Sequence, residues 1–489
     1  MNTKIDTSDR YRSLDQAAPG ELERLEQQAA LSKWKPSYHI HPGFGLLNDP
    51  NGLAYYNGAF HVFYQWHPFA PTHAMKHWAH VSSKNLVDWE RQKVALVPEY
   101  DYEANGAYSG TSIEIDGKLH LYYTGNIKYT DGGRSANQCL AVMDHHGAIE
   151  KYPLNPLIEG PPSGYTGHVR DPKVVRYKDG YRMLLGAQRL NGTGAVIVYS
   201  SSDGIRWSFE GEVTLKGYDE PGFMLECPDY FQLGRKDVLL LSPQGIVAQE
   251  GRYENLYNVV YLVGEMDWDT LQFDVDFYEE LDRGFDVYAP QTFEVDGQRI
   301  LFAWAGMGEV DYPSDREEWA HSLTLPRQLT LRGNRLIQQP VEALALLRNR
   351  SESVHEQDTF HFTPVSNHFE LDFTLSGDVS TVILFHQYDQ GLRLEIDHVQ
   401  GQVVLDRSNT NYPFGEQYGT TRRGEICPGE VTVRIFVDGS VVEVYLNGGE
   451  LVFTTRYFFD DGGVSLEAQD IKGNIYQLRQ SIADKLTME

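Results

Sequence analysis

Five stretches of the chain follow one plan: an apolar run, a tight turn carrying glycine, and a second run in which apolar and polar residues alternate. They are YYNGAFHVFYQ around Gly58, EIDGKLHLYYT around Gly117, RYKDGYRMLLG around Gly180, FQLGRKDVLLL around Gly234 and EVDGQRILFAW around Gly297. A period of two marks a half-buried strand, and Asn-Gly or Asp-Gly between two such runs is hairpin turn chemistry. The glycines lie 59, 63, 54 and 63 residues apart, enough chain for four strands in each interval. Repeats of that length that cannot bury their faces alone pack as a ring of sheets, so the spacing predicts a five-bladed β-propeller.

A second regularity overlies the first. A proline precedes four of the turn glycines by a similar distance: Pro50, Pro172, Pro228 and Pro290 stand 8, 8, 6 and 7 residues before Gly58, Gly180, Gly234 and Gly297. The residue one or two before each proline is Asp49, Asp171, Glu226 or Ala289. The first strand of each propeller blade lines the central channel, so the pattern predicts that three carboxylates, far apart in sequence, converge in one funnel.

Residues 20–33, GELERLEQQAALSK, place Leu22, Leu25, Ala29 and Ala30 at helical spacing, which predicts a short helix packed on the main body. Beyond LPRQLTLRGNRLIQQP, clean alternation from about His368 (HFELDFTLSG, VTVRIFVDGSVVEVYLNGG) reads as an antiparallel β-sandwich. The expected organisation is therefore an all-β protein. It has an N-terminal helical extension over 1–34, a five-bladed β-propeller catalytic domain over 35–345, a linker over 346–357 and a C-terminal β-sandwich over 358–489.

Composition removes several classes of partner. With 42 basic and 69 acidic residues the formal charge is −27, which opposes nucleic acid and anionic membrane surfaces. No apolar run approaches a membrane span, and the first residues, MNTKIDTSDRYRSLDQAAPG, lack the apolar core of a secretion signal. Cys139, Cys227 and Cys427 are few, scattered and without a CxxC pair, which suits a reducing compartment. A cytoplasmic protein is expected.

Three carboxylates in a narrow funnel cannot all titrate normally, because like charges in a poorly solvated site push at least one pKa upward. Retaining glycoside hydrolysis needs such a division: an ionised nucleophile and a protonated acid about 5–5.5 Å apart. Asp49, beside the amide of Asn48, is the expected nucleophile. Glu226, among Met224, Leu225 and Cys227, is the expected proton donor. Asp171, next to Arg170, is the expected clamp on ring hydroxyls. Calcium binding is another use for the same acids, but it draws several ligands from one short loop, and none of these segments has that density. His73, His77 and His80 in PTHAMKHWAHVSS run into a strand pattern and lack the glutamate of a zinc protease motif, so no metal site is expected.

The segments NDPNG (48–52), FYQW (63–66), YSGT (108–111), RDP (170–172), ECPD (226–229) and DVYAPQTF (286–293) together resemble the motif set of glycoside hydrolase family 32, the invertases and β-fructofuranosidases. The resemblance covers nearly the whole chain and implies a five-bladed propeller joined to a β-sandwich, acting without a cofactor. It implies Asp49 as nucleophile, Glu226 as acid/base and Asp171 as transition-state stabiliser. Asn48, Gln65, Ser109, Arg170 and Trp304 match fructose-contacting positions, and Tyr288, from DVYAPQTF, and Trp78, from PTHAMKHWAHVSS, join the expected substrate-binding set. Where many members carry Trp-Gly, this chain has His73-Ala74, followed by Lys76. With YPSDREEWAHSLTLPRQL (312–329), that feature is similar to the members that hydrolyse sucrose 6-phosphate inside bacteria. The expected substrates are sucrose 6-phosphate and sucrose, taken by a monomer or homodimer. Lys76 as a point charge, with His73 and His77 as donors, forms the expected phosphate contact in HAMKHW, since a chain of this charge needs a local cationic patch to hold a dianion. The alternatives are a fructan hydrolase or fructosyltransferase with the same acids, and a propeller that binds sugar without catalysis.

Overall fold

The computed structural model describes residues 4–387 and 390–482. Five mainly antiparallel sheets surround a common axis, each with its first strand innermost: Gly45–Tyr56, Ala107–Ile115, Tyr165–Tyr177, Met224–Leu233 and Tyr288–Val295. We number the blades I–V in this order. Neighbouring inner strands touch all the way round, including V against I. The ring is latched by the segment between the second and third strands of blade V, where Trp319–Ala320 pairs in parallel with Gly45 and Leu46 of blade I.

The predicted hairpins are all present. Asn57-Gly58, Asp116-Gly117 and Asp296-Gly297 adopt positive φ at both turn residues, as a two-residue turn of that hand requires. Blade III differs: its turn is Lys178-Asp179, Lys178 takes a φ of +51°, and Gly180 begins the next strand by pairing with Tyr177.

Each inner strand is interrupted by a β-bulge at the same depth. In blade I the extra residues are Asn48 and Asp49, opposite Gln65. In blades III, IV and V they are Asp171-Pro172, Cys227-Pro228 and Ala289-Pro290, and in blade II Ser109. Bulges re-aim side chains and bend the strand, so every channel strand turns its site residue at one level. This refines the proline alignment in two ways. In blade I the proline follows the bulge rather than belonging to it. In blade IV the residue matching Asp171 is Cys227, and Glu226 lies one place earlier, level with Arg170 and Tyr288. Asp171, Cys227 and Ala289 share left-handed φ values of +65°, +48° and +49°.

Below this level Lys173 reaches across the channel strands: its Nζ ion-pairs with Asp229 Oδ1 at 2.5 Å and donates to the Thr292 carbonyl.

The short helix spans Glu21–Ala29 and buries Leu25 and Ala29, while Ala30 lies beyond its end and is exposed. The C-terminal domain is a sandwich whose two layers share one long strand, Gly463–Leu478. Its first half pairs with Val379–Gln387 and its second half with His368–Ser376. Arg348–Phe362 runs antiparallel to its whole length and bulges beside Asp358 (φ +72°) where the layers part, the usual way a strand turns such a corner. The segment 346–357, read as a linker, is therefore largely the first strand of the sandwich, and its polar residues reflect its exposed faces.

The two domains are joined by buried charges. His39 bridges Asp438 Oδ2 (2.8 Å) and Glu443 Oε1 (3.0 Å), and Arg327 holds Glu443 and Asp282 at 2.7 and 3.0 Å. Burial opposes the charge on His39, but its two carboxylates prevail and its pKa is raised. Removing one partner of such a set strands the other, at a cost of about 3–5 kcal/mol.

Candidate active site

The bulges bring Asp49, Asp171 and Glu226 to the funnel floor. Asp49 is the best supplied with donors. Oδ1 accepts from Asn48 Nδ2 at 3.0 Å, while Oδ2 accepts from the Ser109 hydroxyl, from Gln65 Nε2 at 3.3 Å and from the Cys227 thiol at 3.8 Å. Gln65 is fixed in turn by Asn48 at 3.0 Å and by Ser109. Burial raises the Asp49 pKa, the Ser109 hydrogen bond opposes the rise and the charge of Glu226 adds to it.

Glu226 is gripped on both oxygens. Arg170 donates to Oε1 from Nε and Nη2 at 2.8 and 2.5 Å, and Tyr288 Oη and Gln244 Nε2 donate to Oε2 at 2.7 and 2.8 Å. Asp171 receives the Cys227 amide on Oδ2 at 3.0 Å and lies 4.0 Å from Arg170 Nε. Burial pushes its pKa up to about 7; Arg170 resists, and the charges of Glu226 and Asp49 add to the rise.

Above this floor, Trp304 packs edge-on against Tyr288 and His73, with ring centroids 6.1 and 5.7 Å apart, and donates from Nε1 to His321 Nδ1 at 2.7 Å. His73 is exposed.

Two sequence expectations land elsewhere. Trp78 is fully buried between blades I and II, donating to the Tyr108 carbonyl at 3.1 Å, so the structure does not bring it to the funnel. Lys76, expected as a phosphate contact, is buried instead. It is 2% exposed, its Nζ has no hydrogen-bond partner, and burial lowers its pKa to about 7 against the opposing pull of Asp49. His77 and His80 point apart: His77 Nε2 meets the Leu14 amide, and His80 meets His61.

Sequence reasoning missed Cys227 as a donor, Gln244 as a partner of Glu226, and His168. Strand alternation was the available signal for His168, since it lies two residues before Arg170 on the same face.

A closed five-bladed ring whose bulges gather three carboxylates, an arginine and amide donors at the floor of a funnel defines a β-propeller glycoside hydrolase. Residues 39–340 match the glycosyl hydrolases family 32 N-terminal domain and residues 336–480 the family 32 C-terminal domain, so the chain belongs to glycosyl hydrolase family 32. Among its relatives, the sucrose-6-phosphate hydrolase of Pediococcus pentosaceus is 39% identical, with 96% of each chain covered. That of Bacillus subtilis is 38% identical, covering 91% of this chain and 94% of the relative. Among solved structures, the sucrose-6-phosphate hydrolase of Lactobacillus gasseri superposes with a TM-score of 0.93 at 32% identity, covering 98% of this chain and 100% of its own. The β-fructofuranosidase of Bombyx mori, solved with sucrose, gives 0.81 at 34% identity, covering 95% and 98%. Among the described residues, no helix is long and apolar enough to cross a membrane.

Proposed function

We propose that the chain hydrolyses sucrose 6-phosphate, and sucrose, by double displacement with retention of configuration. The observation that carries this reading is the differentiation of the three acids. Asp49 is aimed by Asn48, Gln65 and Ser109, Glu226 is gripped by Arg170, Gln244 and Tyr288, and Asp171 is buried between them. Asp49 attacks C2 of the fructosyl unit while Glu226 protonates the departing glycosidic oxygen. Water then enters, Glu226 takes its proton, and fructose leaves. Asp171, poised near neutrality, can both accept from and donate to ring hydroxyls. Asn48, Gln65, Ser109, Arg170, Tyr288, Trp304 and His73 form the sugar pocket, and Lys76 acts on Asp49 rather than on the phosphate. The mechanism needs only carboxyl groups and water.

The names of the full-length relatives support the phosphorylated substrate. Side-by-side kinetics on sucrose 6-phosphate, sucrose and a short inulin test the reading. The expected order places sucrose 6-phosphate first, with fructose and its partner sugar released in equal amounts. Preference for inulin, or glucose released in excess of fructose, would overturn it in favour of a fructan hydrolase or a transferase.

A further inference from the structure

The geometry points to a phosphate seat formed by Arg134, Lys128 and His168, on the wall of the funnel that leads away from Glu226. It rests on the reading of the substrate as a phosphorylated disaccharide.

Glu226 is the proposed donor to the leaving-group oxygen, so the departing hexose lies on its side of the funnel. From there a chain of contacts climbs the wall. Arg170, which grips Glu226, donates from Nη1 to His168 Nδ1 at 2.9 Å, and Arg134 donates from Nη1 to the same nitrogen at 3.2 Å. Both guanidiniums are donors, so Nδ1 must be the acceptor and His168 carries its proton on Nε2. Burial, then the charges of Arg170, Arg134 and Lys128, keep His168 neutral, with its pKa lowered to about 3. Accessibility rises along the same path: Arg170 is 6% exposed, whereas His168 and Arg134 are half-buried.

Arg134 and Lys128 face each other at the turn end of the hairpin formed by Lys118–Lys128 and Arg134–Met143, flanking the connection over 129–133. Arg134 is tethered by Nη2 to Asn126 Oδ1 at 2.7 Å, and its Nε is buried without a partner. Among the described residues, neither Arg134 nor Lys128 has a carboxylate within ion-pair distance. Asp6 feels the charge of Lys128 from further away, as Arg134 feels Glu226 and Asp171. The charge of Lys128 also reaches Lys76, His73 and His168, so it sits centrally over this wall.

Half-buried cations without counter-charges are costly to maintain unless a ligand supplies the missing anion. A planar guanidinium, a lysine facing it and a neutral imidazole N–H form a donor set that suits phosphate oxygens. Against a protein charge of −27, such a local patch is what a dianion requires.

The test is the ratio of kcat/KM for sucrose 6-phosphate to that for sucrose, measured in Arg134→Ala, Arg134→Lys and Lys128→Ala. Arg134→Ala should lower the ratio by about tenfold or more, as expected for the loss of a charged hydrogen bond, with the change carried by KM. Arg134→Lys should restore part of it. Glucose 6-phosphate, used as an inhibitor of sucrose cleavage, should weaken in parallel. Lys128→Ala changes a half-exposed residue at a hairpin end, so it should fold and lower the ratio even if Arg134→Ala does not fold. A wild-type preference for sucrose 6-phosphate that survives in the variants overturns the seat and leaves the substrate reading standing. A wild-type enzyme with no such preference overturns the substrate reading, and the seat with it.

Discussion

The Cys227 amide donates a 3.0 Å hydrogen bond to Asp171 Oδ2, although the two residues belong to neighbouring blades. Both stand at their blades' bulges with left-handed backbones, and that distortion turns the Cys227 N–H sideways across the ring. The carboxyl it holds is pushed up to about 7 by burial. A folded-state pKa above the unfolded one means that the folded chain keeps a proton the unfolded chain releases. The contribution to stability is therefore full below the ordinary value of 3.8 and is lost as pH rises through about 7. Asp171→Asn, neutral at every pH, should cut turnover by orders of magnitude yet raise Tm at pH 8, with the gain vanishing near pH 4. Melting curves at the two pH values check this, and a gain of equal size at both would sink it.

Asp49 lies under four donors and contributes little to the apolar core, so Asp49→Ala should fold normally and lose several orders of magnitude in turnover. Near-normal turnover in the folded variant would rule it out as nucleophile. NMR of the first product released by the wild-type enzyme should show β-fructofuranose before mutarotation. The α-anomer would mean a single displacement by carboxyls set farther apart.

Glu226→Gln keeps the side chain's size and removes the exchangeable proton. Sucrose cleavage should fall by orders of magnitude, while fructosides with good leaving groups should retain their first step, because they depart without protonation. Equal losses on both substrate classes would assign Glu226 a role other than proton donor.

Much of this was legible because the signals were local. Hairpin turns at Gly58, Gly117 and Gly297 announce themselves in two residues, and alternation exposes the sandwich strands. What the sequence hid depends on register. The inner-strand bulges decide that Cys227, not Glu226, is level with Asp171, and a bulge leaves no compositional mark beyond a proline that drifts by one place between blades I and III. Burial was hidden for a related reason. HAMKHW has the polarity of a loop, so Lys76 and Trp78 both read as accessible. Yet the loop folds under the N-terminal segment, where the Met75 amide meets the Arg10 carbonyl and the Leu14 amide meets His77. The strand 348–362 was hidden because one long polar strand serving two layers looks like a linker.

Lys76 gives the last prediction. Burial lowers its pKa to about 7 from an ordinary 10.5, so the folded chain gives up a proton that the unfolded chain keeps. The destabilisation is full below pH 7 and is relieved as pH climbs towards 10.5. An apolar residue of similar length avoids that cost, so Lys76→Met should raise Tm most at pH 6 and least at pH 10. The same substitution removes a positive charge that lowers the pKa of Asp49. Since Asp49 must be ionised to attack, the acid limb of kcat/KM should move to higher pH in Lys76→Met, for sucrose and sucrose 6-phosphate alike. A shift confined to the phosphorylated sugar would return Lys76 to the phosphate, and an unmoved limb would show that its charge does not reach the nucleophile.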